Sequence, residues 1–224
     1  MNQTYMAVPI FSVRGVLLGV ELKTHFEKEG CRVIVAEKVL SYEERLTELK
    51  YQLAAIKRQS EWFISHGLYC VLPVAADVAE ELSLKNAVLE HPFLRLMVST
   101  AYNTDLIGED FWLDGLGSYH STALPLTTGK FEALRLQPSF VEETINSEFF
   151  PTIMKVIRKY CDRIIVIIRD KEHLSVLEEA GVWAVQREHQ AVVFDECSRL
   201  ISFSSINSFM NDARLEDIDN CKII

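Results

Sequence analysis

The sequence lacks several patterns that would assign a protein to a common class at once. It contains only five cysteines, an odd number, and none of them forms a CxxC pair. This argues against a disulfide framework and against a zinc cluster. No unbroken apolar run opens the chain, because Arg14 and Glu21 interrupt the first apolar stretch. The sequence therefore predicts reduced thiols in the cytoplasm, no signal peptide and no membrane span.

Motifs of common catalytic and phosphate-binding sites are also missing. The six histidines show no HxxH or HExxH spacing, so we expect them at the surface or at helix ends. No GxSxG motif surrounds Ser118 and Ser121 near His120, so a polar loop is a better interpretation than a nucleophile and its base. The glycines form neither a GxGxxG nor a GKT loop, and no phosphate-binding loop is predicted.

Positive charge is scarce as well. The chain has 23 Lys and Arg against 32 Asp and Glu, which gives a formal net charge of −9 at pH 7. Such a chain repels phosphate backbones and anionic membranes, so direct binding to nucleic acid or to a membrane is disfavoured. With 224 residues, 49% of them hydrophobic, and no low-complexity tract, repeat or linker, the sequence predicts one ordered domain over 1–224.

The sequence does contain a regular alternation of short apolar runs and helical stretches. Residues 6–13 and 16–22 flank Arg14-Gly15 and predict a β-hairpin. Further strands are predicted at 68–75, 94–98, 132–136, 163–168, 182–185 and 191–194, although Pro73 suits a central strand poorly. Helices are predicted at 35–66, ending before Gly67, at 139–161 and at 171–180. A further helix is predicted to begin at a capping box of Asp77 and Glu80 and to end at Pro92. The alternation indicates a parallel α/β sheet, and the number of units favours a closed barrel.

The opening segment resembles a known family. Pro9-Ile10, followed by Gly19-Val20-Glu21-Leu22-Lys23, is similar to the start of EAL domains, where a Pro-Ile strand and a Gly-Val-Glu-Ala-Leu strand form a hairpin. The order of the later elements is also similar, from about Pro9 to Gln186. This resemblance implies a modified TIM-type (β/α)8 barrel with one antiparallel strand, in a family of cyclic di-GMP phosphodiesterases.

The resemblance also implies a two-metal site, which this sequence does not preserve. In active members, acidic and amide side chains hold two divalent cations that bind the substrate phosphate and generate the attacking hydroxide. Matched to the family's motifs, Glu21 keeps the glutamate of the EAL motif and Asp114 keeps the first aspartate of an Asp-Asp pair. The other matched positions carry different residues, which are His25, Pro73, Met97, Thr100, Arg135, Gln137 and an isoleucine within 166–170. Gln186 matches a late glutamine of the family, with Arg187 in place of the usual glycine.

Two carboxylates cannot assemble a two-metal centre, so we reject phosphodiester hydrolysis and predict no catalytic residue, no metal and no cofactor. We interpret Glu21 as a relic ligand held by structural contacts, or as a buried carboxylate paired with a neighbour such as Lys23 or Arg135. Asp114 is either a second relic ligand position or a turn residue before Gly115.

Three functions are open at this point. The chain is similar to a YdiV-like group of short, stand-alone EAL-like proteins in the segment 20–26, in Leu116-Gly117 and in Ser139-Phe140. That resemblance implies an anti-activator of bacterial flagellar genes, which binds the FlhD subunit of the FlhDC regulator and keeps it off promoter DNA through unknown contact residues. The alternatives are a cyclic di-GMP receptor without hydrolysis, for which Arg135 or Arg169 could supply cations, and a weak residual phosphodiesterase.

Overall fold

The computed structural model describes residues 2–28, 31–33, 40–75, 77–79, 81–99, 111–118, 131–169 and 173–204. Their strands are β1 Asn2–Ser12, β2 Leu17–Lys28, β3 Cys31–Val33, β4 Tyr69–Pro73, β5 Leu94–Ser99, β6 Phe111–Leu116, β7 Ala133–Leu136, β8 Ile164–Ile167, β9 Ala184–Gln186 and β10 Val192–Val193. Their α-helices are α1 Tyr42–Arg58, α2 Ser60–His66, α3 Leu82–Glu90, α4 Pro138–Thr144, α5 Phe150–Ile157 and α6 Leu174–Glu179. Two 3₁₀ segments, Glu188–Gln190 and Phe194–Ser204, follow β9 and β10.

Eight of these strands close into a barrel. The order around it is β1, β2, β4, β5, β6, β7, β8, β9 and back to β1. From β2 through β9 each strand is parallel to the next, whereas β1 is antiparallel to both β2 and β9. β3 pairs with the end of β2, and β10 pairs with the middle of β1 at Met6 and Ala7. The predicted modified TIM-type barrel with one antiparallel strand is therefore confirmed.

The long hairpin of β1 and β2 makes this closure possible. The chain reverses at Arg14-Gly15, where Gly15 has a φ of 85° and the backbone N–H of Val16 donates to Ser12 Oγ at 3.0 Å. Farther along β2, Gly19 lies against the start of β4. A Cβ at this position would lie 2.5 Å from the carbonyl oxygen of Tyr69, so glycine is needed for the two strands to approach each other.

Helix α1 begins with a local signal that the sequence supplies. Ser41 Oγ accepts from the backbone N–H of Glu44 at 3.3 Å, and the Glu44 carboxylate accepts from the backbone N–H of Ser41 at 2.7 Å. This is a capping box. The predicted single helix over 35–66 is wrong, because α1 ends at Arg58 and α2 follows after Gln59. Gly67, with a φ of 62°, ends α2 as predicted, and 34–39 lie outside the described residues.

Proline explains two other differences from the predicted elements. The helix predicted over 139–161 is two helices, and Pro151 stands in the first turn of the second, where its missing N–H leaves no helical bond unmade. Pro73 is the last residue of β4, so a central strand accommodates it without losing an interior ladder bond.

Three more elements differ from the predicted ones. Asp77 does not cap the helix before Pro92, since α3 begins at Leu82 and Asp77 instead forms an ion pair with Arg45. β6 was not among the predicted strands, although its residue Trp112 is almost fully buried. The α6 segment is shorter than the predicted 171–180, of which 171 and 172 lie outside the described residues.

Apolar side chains fill both the barrel and the layer around it. The interior cluster consists of Ile10, Val71, Met97, Trp112, Ala133, Ile165 and Ala184. A larger cluster packs the outer face of the barrel against the helices, where Phe63 stacks on Phe93 with ring centroids 5.1 Å apart. Within the described ranges, no helix is long and apolar enough to cross a membrane.

Candidate functional site

Four polar side chains meet inside the barrel toward the carboxyl ends of its strands. Glu21 comes from β2, Asp114 from β6, Arg135 from β7 and Gln186 from β9. We call these four residues the mouth cluster. Glu21, Arg135 and Gln186 are 1%, 6% and 0% exposed, so three polar groups lie almost completely out of water. Buried groups of this kind must satisfy one another.

Arg135 is the centre of the mouth cluster. Its Nε and Nη2 donate to the two carboxylate oxygens of Asp114 at 2.7 and 2.9 Å, a bidentate contact. Its Nη1 donates to Glu21 Oε2 at 2.6 Å and to Gln186 Oε1 at 2.8 Å. The Gln186 amide in turn donates to the same Glu21 oxygen. One guanidinium therefore joins three strands that are far apart in the sequence.

The electrostatics of the mouth cluster favour the charged forms. Burial alone would raise the pKa of the Glu21 carboxyl, but Arg135, Lys23 and the hydrogen bonds from Arg135 and Gln186 hold that pKa below its usual value. Burial alone would lower the pKa of the Arg135 guanidinium, yet Glu21 and Asp114 raise it above its usual value. Arg135 and Glu21 thus form a buried ion pair at neutral pH.

A second cation lies at the rim. Lys23, two residues after Glu21 on the same face of β2, has its Nζ 3.9 Å from Glu21 Oε2 and 2.5 Å from Glu188 Oε1. Both contacts that we named as possible for Glu21, to Lys23 and to Arg135, are therefore present. Asp114 lies within β6 and binds Arg135 through both oxygens, so the interpretation of Asp114 as a turn residue is wrong.

The other positions matched to the family's motifs supply little oxygen to this end of the barrel. Pro73 and Met97 lie opposite each other on β4 and β5, and Met97 is buried in the barrel interior. Ile167 is the last residue of β8, opposite Gln186. Gln137 follows β7 at the start of α4, and His25 lies four residues beyond Glu21 on β2. Thr100 lies outside the described residues.

This set of side chains does not fit the pair of divalent cations that the EAL resemblance implies. Mg²⁺ requires close to six oxygen ligands in near-octahedral geometry, at about 2.0–2.1 Å. Glu21 and Asp114 already accept hydrogen bonds from Arg135, and a thioether such as that of Met97 is a poor ligand for a hard cation. In the part of the chain that the structure describes, no group of three or more His, Cys, Asp or Glu side chains is placed to hold a metal.

A cavity of about 220 Å³ opens beside Glu21. Lys23 and Arg45 are among its lining residues and could attract a phosphate. Both are already paired with carboxylates, Lys23 with Glu188 and Arg45 with Asp77. An anionic ligand in this cavity would therefore have to compete with ion pairs of the protein.

The opposite end of the barrel holds a second charged group that the sequence did not indicate. Arg95, Glu132 and Arg163, which we call the base cluster, lie near the starts of β5, β7 and β8. The Glu132 carboxylate accepts from both arginines and, at 3.2 Å, from Trp112 Nε1. A possible signal is the position of these three charges, each within two residues of the start of an apolar strand.

Comparison with known proteins agrees with this fold. No family model matches the chain. The chain is 28% identical over 174 residues to the anti-FlhC(2)FlhD(4) factor YdiV of Escherichia coli (strain K12), across 67% of this chain and 72% of that protein. It superposes on the crystal structure of the EAL-like domain protein YdiV with a TM-score of 0.74 and 26% identity, covering 88% of this chain and 95% of the other.

An EAL domain protein from Listeria monocytogenes EGD-e has the same fold at lower sequence similarity. Its TM-score is 0.70 at 12% identity, over 90% of this chain and 93% of that one. At this identity the likeness concerns the fold alone. These comparisons show that this chain has the EAL-like barrel fold and that it is similar to YdiV in sequence and in structure.

Proposed function

We propose that this chain is a non-catalytic EAL-like regulator that binds the FlhD subunit of the flagellar master regulator FlhDC. In this role the protein prevents FlhDC from binding promoter DNA and so represses motility genes. It acts as a single domain over 1–224, in the bacterial cytoplasm, without a metal or a cofactor. Glu21 and Asp114 are relic ligand positions.

The similarity to YdiV carries this proposal. It extends over 67% of this chain in sequence and 88% in structure, and YdiV is named an anti-FlhC(2)FlhD(4) factor. A fold alone does not define a function, because EAL barrels also occur in enzymes. The chemistry of the site is therefore needed as a second support.

The mouth cluster supports a non-enzymatic role. Hydrolysis of a phosphodiester in this family needs metal ions that activate water and neutralise phosphate charge. Here the two carboxylates that could contribute, Glu21 and Asp114, are bound to Arg135. The barrel end where TIM-type enzymes carry their chemistry is thus occupied by internal ion pairs.

The net charge of −9 also suits a protein partner better than DNA. An acidic surface repels DNA and is attracted to the basic surface of a DNA-binding protein. Such a charge difference would speed the encounter with FlhDC and compete with DNA for the same basic face. The effect would weaken as salt screens the charges.

The direct test uses purified FlhDC. We expect the chain to co-elute with FlhDC through FlhD in gel filtration, and to abolish the gel shift of a flagellar promoter fragment as its concentration rises. E. coli YdiV serves as the positive control. Arg135→Lys serves as a matched variant, because it changes a buried residue that a docked partner does not reach. If the folded chain neither co-elutes with FlhDC nor reduces the gel shift, the partner assignment is wrong.

Two measurements address the alternative functions. Isothermal titration with cyclic di-GMP should show no micromolar binding, because Lys23 and Arg45 are already paired with acids. Incubation with cyclic di-GMP and saturating Mg²⁺ or Mn²⁺ should give no linear dinucleotide. Micromolar binding would favour the receptor function, and a product that disappears in Glu21→Ala would favour a residual phosphodiesterase.

A further inference from the structure

The position of Arg135 is unusual for a charged side chain in a barrel. It is 6% exposed and lies between two carboxylates that come from β2 and β6. Nε, Nη1 and Nη2 all donate to mouth-cluster oxygens, at 2.6 to 2.9 Å. A planar guanidinium with its donors in a fixed fork suits this arrangement, because one group can reach both acids at once.

The lone pairs that Arg135 uses are those that a divalent cation would need. A metal ion between Glu21 and Asp114 would coordinate carboxylate oxygens that now accept from Nη1, Nε and Nη2. Mg²⁺ or Mn²⁺ entering this space would have to displace the guanidinium or come close to it. Repulsion between like charges is strong where water is largely excluded.

The charge of Arg135 cannot be removed easily to make room. A guanidinium stays protonated in proteins under ordinary conditions. Displacing it would also leave Glu21, which is 1% exposed, with only Gln186 and the more distant Lys23 as partners among the residues that the structure describes. Breaking a buried ion pair in this way is strongly destabilising. The arginine is therefore held in place by the same carboxylates that it neutralises.

We propose that Arg135 is an internal cation that takes the place of a divalent metal between Glu21 and Asp114, and that its presence prevents this barrel mouth from binding such an ion. The ligands lost at Pro73, Met97 and Ile167 remove a full two-metal centre. Arg135 binds the ligands that remain, which are the two carboxylates and the amide of the mouth cluster, and so keeps a cation from binding them. This inference does not depend on FlhDC being the partner.

The test is whether removal of the arginine produces a cation site. We would titrate Mn²⁺ into the protein and follow the electron paramagnetic resonance signal of free Mn²⁺, with thermal unfolding as a second readout. Wild type should bind no Mn²⁺ at the mouth. Arg135→Gln should bind one Mn²⁺ per chain, at least about tenfold more tightly than wild type, which corresponds to about 1.4 kcal/mol. Its unfolding temperature should rise with Mn²⁺.

Three variants serve as controls for this titration. Arg135→Lys keeps a cation but loses the planar fork that reaches both acids, so its affinity for Mn²⁺ should lie between those of wild type and Arg135→Gln. Asp114→Asn added to Arg135→Gln removes one of the two acids and should abolish the Mn²⁺ site. Arg163→Gln removes an arginine from the base cluster, where Glu132 is the only carboxylate contacted among the described residues, and should gain no affinity for Mn²⁺.

Two results obtained with folded protein would overturn the inference. One is a wild-type protein that binds Mn²⁺ as tightly as Arg135→Gln and loses that binding with Asp114→Asn. The other is an Arg135→Gln protein without Mn²⁺ affinity. If Arg135→Gln is unfolded without metal, recovery of its folded circular dichroism spectrum on adding Mn²⁺ would support the inference. Failure to recover while Arg135→Lys is folded would contradict it.

Discussion

The two ends of the barrel carry charged clusters of opposite composition. The mouth cluster places one arginine between two carboxylates, whereas the base cluster places one carboxylate, Glu132, between Arg95 and Arg163. Two of the three mouth charges are buried, with the Arg135 side chain 7% exposed and that of Glu21 1% exposed, whereas the Asp114 side chain is 35% exposed. In the base cluster the side chains are 17% to 39% exposed.

The base cluster compensates for its greater exposure with aromatic contacts. Arg95 Cζ lies 5.0 Å from the ring centroid of Tyr69, and Arg163 Cζ lies 5.3 Å from that of Trp183. In such cation–π contacts the aliphatic parts of the arginines cover this end of the barrel, while their guanidinium groups remain partly hydrated. In TIM-type barrels this end serves stability, and the other end carries function. The comparison indicates that the mouth of this barrel, the end that carries function in TIM-type enzymes, here serves stability.

The largest effect should come from removing the centre of the mouth cluster. Arg135→Met keeps much of the volume but leaves the buried Glu21 without its main partner, and should lower the free energy of unfolding by about 3–5 kcal/mol. Urea unfolding at neutral pH measures the change. Arg135→Lys should lose less, because it keeps a charge but not the bidentate contact. A loss for Arg135→Met no larger than that for Arg163→Met would contradict the difference between the two clusters.

A smaller loss is expected when the base cluster loses its carboxylate charge. Glu132→Gln leaves Arg95 and Arg163 without an anionic acceptor, and should lower the free energy of unfolding by about 1–3 kcal/mol. The loss is smaller than at the mouth because water can reach both arginines. The same urea titration measures it. An effect as large as that of Arg135→Met would show that the base is as dependent on its ion pairs as the mouth.

The base cluster should also contribute a pH-dependent part of the stability. Burial would raise the pKa of Glu132, but hydrogen bonds from Arg95 and Trp112 and the charges of Arg95 and Arg163 hold it below its usual value. A folded pKa below the unfolded one gives stability that is present above the unfolded pKa, about 4.3, and is lost as the pH falls through the folded pKa. The difference in unfolding free energy between wild type and Glu132→Gln should therefore shrink from pH 6 to pH 3. A difference that is constant over this range would contradict the assignment.

The smallest effect is expected at an ion pair outside both clusters. Arg14 Nε lies 2.9 Å from Glu178 Oε1, but the two side chains are 79% and 48% exposed. Such a pair is screened by water and salt, so Arg14→Ala should change the free energy of unfolding by less than about 0.5 kcal/mol. Urea unfolding at low and high salt measures this. A loss above 1 kcal/mol at either salt concentration would show that exposure is a poor guide to the strength of ion pairs in this protein.

The sequence predicted the barrel and named all four residues of the mouth cluster, but it did not predict how these residues contact one another. Glu21 and Asp114 stand at recognisable places in the EAL pattern, so their positions at the strand ends could be predicted. Arg135 was one of two possible partners named for Glu21, and the sequence could not choose between them because closure of the barrel brings these two distant residues together. The bidentate contact of Arg135 with Asp114 was not predicted. Nothing in the sequence around Arg135 signals that this residue has two partners on different strands.

The base cluster and the break between α1 and α2 could not be predicted from the sequence either. Arg95, Glu132 and Arg163 each stand beside an apolar run, where a charge is more commonly a solvated strand end. The break after α1 falls at Gln59, which is neither glycine nor proline, and so interrupts the helical period without a sequence signal. In both cases the structure depends on contacts between residues that are distant in the sequence.

The closure of the barrel by β1 has a consequence for synthesis of the protein. β1 pairs with β2 as soon as the hairpin has formed, but its other edge pairs with β9, where Ile10 meets Gln186. While the ribosome is still making the intervening strands, that edge of the nascent chain has no β9 to bind and is open to other strands. The barrel can therefore close only late in translation, when the arrival of Gln186 also completes the contacts around Glu21.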